Sequence, residues 1–169
     1  MSTAQRMREV KFRGRLITVA VLDGHWEVVE HPDAVAVMVV RGRELLGVRQ
    51  PRPAVGASTW EIPAGLIEDG EAPEDAARRE LAEEVQLGGR LKLVSRLYAS
   101  PGFTDEQCYL YELSGAHQAA GTPDAGEDLV LEWRDALEVW NGVLAGTEST
   151  SGVTLLAVRH VLARSGVAL

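Results

Sequence analysis

Carboxylates crowd one short segment of the chain. Between Gly65 and Val85 lie Glu68, Asp69, Glu71, Glu74, Asp75, Glu80, Glu83 and Glu84, with Arg78 and Arg79 among them. On a helix turning about 100° per residue, Glu80, Glu83 and Glu84 share one arc, while Ala77, Leu81 and Val85 line the adjoining one. Like charges at i,i+4, such as Glu80 and Glu84, cost a helix roughly 0.2 to 0.5 kcal/mol, so a counterion is expected. A hard divalent cation, magnesium or manganese, takes such oxygens and completes its shell with water and phosphate. The same ion would bridge an acidic protein to an anionic substrate. The competing reading is a solvated helix face neutralised by Arg78 and Arg79.

Other reactive side chains are scattered. His25, His31, His117 and His160 lack the mutual spacing of metal ligands. Cys108, the single cysteine, cannot form an internal disulfide and alternates with Tyr109 as a small apolar residue.

The elements that must position the acidic segment follow from periodicity. Pro73 suits a first helical turn, and the alanines, leucine and glutamates after it predict a helix over 73–85. Strands are predicted at 16–22, 26–31, 34–41 and 45–50, with a hairpin turn at Asp23-Gly24. Pro51, Pro53 and Gly56 break regular structure over 50–59, just ahead of Trp60-Glu61-Ile62-Pro63-Ala64-Gly65. Further strands are expected at 91–98, 107–113 and 129–133, and helices at 135–144 and 153–163. Residues 116–128, polar and rich in glycine and alanine, read as a loop able to close. Strands on both sides of one central helix predict a single mixed α/β (α+β) domain.

Composition narrows the partners. A chain of 169 residues, 46% hydrophobic and 25% charged, can bury one sizeable core. Its 25 acidic against 17 basic side chains give a formal charge of -8, which argues against nucleic acid. The longest apolar run, 34–40, falls far short of the roughly 18 to 20 residues of a membrane span. The N-terminus, with Gln5, Arg6, Arg8, Glu9, Lys11 and Arg13, lacks the apolar stretch of a secretory signal, so a reducing cytoplasm is expected.

Spacing adds more. From Gly65, five intervening residues lead to Glu71 and seven more to Arg79-Glu80, followed by Leu81, Ala82, Glu83 and Glu84. This pattern resembles the signature of the Nudix hydrolases, which cleave a nucleoside diphosphate linked to another group; that family usually has glycine where this chain has Gln86. The likeness extends to the ADP-ribose pyrophosphatase branch through Val29-Glu30-His31, Val48-Arg49-Gln50-Pro51-Arg52-Pro53, Trp60 to Gly65, and Ser100-Pro101-Gly102-Phe103-Thr104-Asp105-Glu106. Pro101, fifteen positions after Gln86, is the mark that discriminates that branch.

The resemblance implies a Nudix fold, a mixed β-sheet packed between helices, with an antiparallel strand arm over 1–33 ahead of the hydrolase domain at 34–169. It implies cleavage of ADP-ribose to AMP and ribose 5-phosphate with magnesium or manganese. Glu80, Glu84 and the Ala64 carbonyl would hold metal, with Glu83 and Glu84 in the catalytic set and Arg79 orienting a glutamate. Substrate contacts would come from Arg49, Arg52, Glu30, Gly102 and Glu106, the arginines as guanidinium forks for pyrophosphate. Glu127 matches the family's loop acid in position, with Asp124, Asp128 and Glu106 as rivals for a base role. In the family the arm crosses between protomers of a homodimer. Another ADP-sugar or nucleoside diphosphate derivative as substrate, or a non-catalytic nucleotide-binding module, are the alternatives.

Overall fold

An apolar run without alternation is expected to be covered on both faces, and 34–40 is. In the computed structural model, which describes residues 7–121 and 130–167, the run forms β4 (Ala34–Met38) and, after Val39, the short β5 (Val40–Arg41). One face of β4, with Val35 and Val37, packs against Ala76, Ala77, Leu81 and Val85 of the helix α1 (Pro73–Val85). The other, with Ala36 and Met38, packs against Val139 of α2 (Ala136–Leu144) and Ala157, Val158, Val161 and Leu162 of α3 (Gly152–Arg164). The sheet is thereby held between helices.

β4 runs parallel to β10 (Gln107–Gln118), which pairs antiparallel with β9 (Leu87–Tyr98), while β8 (Ala64–Leu66) pairs antiparallel with the other edge of β4. A second sheet pairs β6 (Glu44–Arg52) with β5, β11 (Val130–Asp135) and β7 (Ala57–Glu61). The arm is a separate antiparallel sheet of β1 (Arg8–Arg13), β2 (Thr18–Leu22) and β3 (Trp26–Glu30). Its β2–β3 connection spans Asp23, Gly24 and His25 between the paired Leu22 and Trp26, with positive φ at Asp23 and Gly24, 51° and 78°.

Helix α1 keeps its expected bounds. Pro73 occupies its first turn, and the chain leaves it at Gln86 with φ 55° and ψ 38°, the Gln86 N–H donating to the Leu81 carbonyl. Glutamine here adopts the left-handed cap that glycine enters at lower cost. Asp135 caps α2 by accepting from the Leu137 and Glu138 amides.

Three expectations need correction. β1 was hidden because its residues are densely charged, although Val10 and Phe12 alternate with Glu9, Lys11 and Arg13. The break over 50–59 shrinks to a 3-10 turn at Pro53–Val55, since β6 runs through Arg52 and β7 begins at Ala57. Pro51 thus lies within β6, opposite Ser58 of β7. Of the expected loop 116–128, residues 116–118 belong to β10, which continues to Gln118 opposite Leu87, and 122–128 lie outside the described residues.

Candidate active site

The C-terminal end of α1 delivers three carboxylates to one wall of a cleft of about 970 Å³. Glu80, Glu83 and Glu84 line it together with Ala64 and Gly65 of β8. The Ala64 amide donates to Glu84 Oε2 at 3.2 Å. A Cβ on Gly65 would lie 2.0 Å from Glu80 Cδ, so glycine at this point leaves the Glu80 carboxylate its place.

Arg79 ties this wall together. Its Nε and Nη2 grip Glu71 at 3.0 Å each, Nη2 also reaches the Leu66 carbonyl at 2.9 Å, and Nη1 donates to Glu80 at 2.7 Å and Glu83 at 3.2 Å. The hydrogen bond from Arg79 holds the Glu71 carboxyl below its ordinary range. The reciprocal bond pushes Arg79 upward against the opposing effect of burial. Arg78 points elsewhere, to the Gly89 carbonyl and Glu74. The bland reading of the helix is therefore met by Arg79 in part, yet its counter-charges converge on a concave surface rather than on open solvent.

Strand parity builds the opposite wall. Along β6, Leu46 and Val48 face the α1 core while Leu45 faces the α2–α3 core, so Gln50 and Arg52 continue on the α1 side and line the cleft. Gly47 and Arg49 fall on the other face. Arg49 is accordingly absent from the cleft lining, and its guanidinium lies 3.3 Å from Glu148 and 3.5 Å from Glu132. Expecting both arginines at one pyrophosphate overlooks this three-residue separation on a period-two strand.

Arg52 meets Glu61 of β7, donating from Nε and Nη2 at 3.0 Å each. Burial pushes the Glu61 carboxyl up, but hydrogen bonds from Arg52 and Thr59 outweigh it and leave the carboxyl below its ordinary range. Glu61, Thr59 and Ser151, all lining the cleft, are not singled out by motif spacing. The available signal was the period-two run Thr59-Trp60-Glu61-Ile62, which buries Trp60 and Ile62 in the core and leaves Glu61 facing the site.

Glu106 lines the cleft 3.7 Å from His31 Nδ1, and burial raises its carboxyl above the ordinary value. Nearby Cys108 is pushed up to about 12 by burial, which leaves it a thiol at neutral pH. Glu30 instead pairs with Arg8 at 2.5 Å within the arm, and Gly102 sits in an exposed turn outside the cleft lining. That turn is stitched to the arm, the Val29 amide donating to the Phe103 carbonyl at 2.7 Å. Arg15 and Leu16, between β1 and β2, line the cleft of their own chain. Glu127, Asp124 and Asp128 lie outside the described residues.

Among the described residues no three His, Cys, Asp or Glu side chains are gathered into a ready cage for a metal ion. The donors on α1 nevertheless suit one. They are hard oxygens beside Ala64, with a glycine keeping the Glu80 carboxylate's place clear. Magnesium fills much of its shell with water and phosphate, so a partial protein shell is the expected form.

Residues 30–149 match the NUDIX domain. The chain belongs to the Nudix family. Among curated Nudix relatives, an ADP-ribose pyrophosphatase of Bacillus subtilis is 37% identical over 114 residues, covering 62% of this chain and 62% of that protein. An ADP-ribose pyrophosphatase of Mycobacterium tuberculosis is 36% identical over 143 residues, covering 81% of this chain and 67% of that one. The chain thus spans roughly two thirds of the length of these relatives or slightly less. A solved structure described as an ADP compounds hydrolase superposes with a TM-score of 0.74 at 20% identity, covering 99% of this chain and 100% of that one. That likeness confirms the Nudix fold. Gln86, where the family usually has glycine, ends the Nudix helix with Glu80, Glu83 and Glu84 in the cleft.

Proposed function

We propose that this Nudix chain hydrolyses the pyrophosphate of ADP-ribose to AMP and ribose 5-phosphate with magnesium or manganese. One observation carries the reading: a single cleft sets the carboxylate face of α1 opposite a guanidinium held on the β6–β7 wall. Two relatives covering most of this chain bear the name ADP-ribose pyrophosphatase, which supports the choice of substrate.

Glu80, Glu84 and the Ala64 carbonyl would hold the cation, with Glu83 beside them. When bound, such a cation makes water more nucleophilic and neutralises charge developing on the phosphates. The chain's own groups supply the rest. Arg79 fixes Glu80 and Glu83, so the carboxylates are oriented before substrate arrives. Arg52 would grip the pyrophosphate as a planar fork, which an ammonium cannot do. Glu106, its carboxyl raised by burial, would accept hydroxyl hydrogens of the substrate when ionised. Glu127 is assigned to proton abstraction from water, on its sequence position alone.

The arm supports a homodimer. Every residue of β1 is exposed, and Met7, Val10, Phe12, Leu16 and Trp26 leave apolar surface open on the arm. A two-fold pairing would cover it in both copies. Light scattering should then give twice the chain mass of 18.3 kDa, and a monomer at micromolar concentration would exclude the pairing. Among the described residues no helix is long and apolar enough to cross a membrane. A cytoplasmic setting suits this chemistry.

The substrate is tested by a panel of ADP-ribose, other nucleoside diphosphate derivatives and nucleoside triphosphates, compared by kcat/KM with products resolved by chromatography. ADP-ribose should rank first. ATP or dGTP ranking above it would overturn the substrate assignment.

A further inference from the structure

A carboxylate is an unexpected neighbour for an anionic substrate. Glu61 nonetheless stands in the cleft wall with its side chain only 8% exposed, while that of its partner Arg52 is 44% exposed. One end of the pair is anchored in the protein and the other opens toward the cleft. We propose that Glu61 is a positioning residue, fixing the Arg52 guanidinium in the orientation it presents to the substrate pyrophosphate. This rests on the reading of the cleft as a pyrophosphate site.

Glu61 is held from several directions. Its Oε1 accepts from Thr59 Oγ1 at 2.6 Å as well as from Arg52 Nε, and Ser151, at the start of α3, lines the cleft with it. The backbone on either side is pinned too. Trp60 donates its amide to the Ser149 carbonyl at 3.1 Å and accepts from Thr150 Oγ1 at 2.6 Å through its own carbonyl, and the Ile62 amide donates to Thr154 Oγ1 at 3.1 Å. The carboxylate therefore has one direction available to it. Because both Nε and Nη2 of Arg52 are bound, the plane of the guanidinium is set along with its position.

Stability alone gives little reason for this arrangement, since replacing a buried ion pair by well-packed apolar groups is often neutral or stabilising. Orientation gives a better one. A mobile arginine loses rotamer freedom when it binds phosphate, and one already held loses less. The pair also leaves the wall nearly neutral, so the fork acts through aligned donors in a cleft already rich in carboxylates.

The test measures ADP-ribose binding by calorimetry in EDTA, which excludes turnover, and then KM and kcat with magnesium. Glu61→Gln keeps the size but offers Arg52 a single acceptor oxygen. It should weaken binding and raise KM about 5- to 10-fold, with kcat changed less than about 3-fold. Thr59→Val, a smaller disturbance of the same carboxylate, should weaken binding about 2-fold. Its folding is independent of the charge change, so it decides the matter if Glu61→Gln does not fold. Arg52→Ala should weaken binding about 10-fold or more, and adding Glu61→Gln to it should do nothing further. A Glu61→Gln or Thr59→Val protein that melts earlier but binds like the parent would overturn the positioning role, as would multiplicative effects of Arg52→Ala and Glu61→Gln. Normal binding by Arg52→Ala would instead remove Arg52 from the pyrophosphate, and Glu61's role with it. Absence of ADP-ribose binding by the parent protein would refute the substrate assignment itself.

Discussion

Glu80, Glu83 and Glu84 share a direction because one helix turns them there, whereas Arg52, Glu61 and Ser151 meet only when β6, β7 and the start of α3 come together. The first wall of the cleft is local. Its geometry follows from 3.6 residues per turn, and its internal counter-charge, Arg79, belongs to the same helix. The second wall is assembled across the chain, and its orientation depends on strand parity and on pinning by the segment Ser149 to Thr154. A local wall tolerates error in the rest of the fold, while an assembled one transmits it.

The local wall should be the more sensitive to charge. Glu80→Gln and Glu84→Gln each keep side-chain size and remove one anionic oxygen donor, so each should lower kcat at least about 100-fold with unchanged circular dichroism. Near-normal turnover by both at saturating magnesium would break the comparison at its stronger end. Arg79→Ala should follow with a loss of about 10- to 50-fold in kcat/KM, because it releases Glu71, Glu80 and Glu83 together.

Arg79 also sets an acid limit. The Glu71 carboxyl is depressed in the folded protein, so its contribution to stability is present above the ordinary carboxylate range and is lost as pH falls through the folded value. Melting temperature followed below about pH 5 should fall more steeply for the parent than for Arg79→Ala. Parallel curves would show that this pair carries no such linkage.

The assembled wall gives a contrast between two arginines three residues apart. Arg52→Ala should raise KM about 10-fold, while Arg49→Ala should leave it within about 2-fold and act on stability through the Glu148 and Glu132 contacts. Equal effects on KM would mean that parity does not govern access to the cleft. The smallest change expected is at the end of α1. Gln86→Gly relieves a left-handed glutamine worth about 1 kcal/mol and should raise the melting temperature by about 2 to 4 °C.

This contrast also explains what could be read in advance. Helix α1 and its carboxylate face were legible because each is decided within a few residues. β4 was legible as an apolar run, since burial on both faces leaves no alternation to find. Arg49 misled because proximity in sequence says nothing about face until the parity of β6 is fixed by its core residues. Glu61 was invisible as a site residue because its partner Arg52 and its cleft neighbour Ser151 are brought to it by the second sheet and by α3. β1 was missed because charge masked its alternation.

Phosphorus NMR of ADP-ribose incubated with the protein and magnesium tests the proposed reaction most directly. The two coupled diphosphate signals should disappear and be replaced by two monophosphate ester signals in equal amounts, with no change when EDTA is present in excess. Persistence of the diphosphate signals with magnesium and with manganese, or release of inorganic phosphate in place of two phosphate esters, would contradict the assignment of this cleft to ADP-ribose hydrolysis.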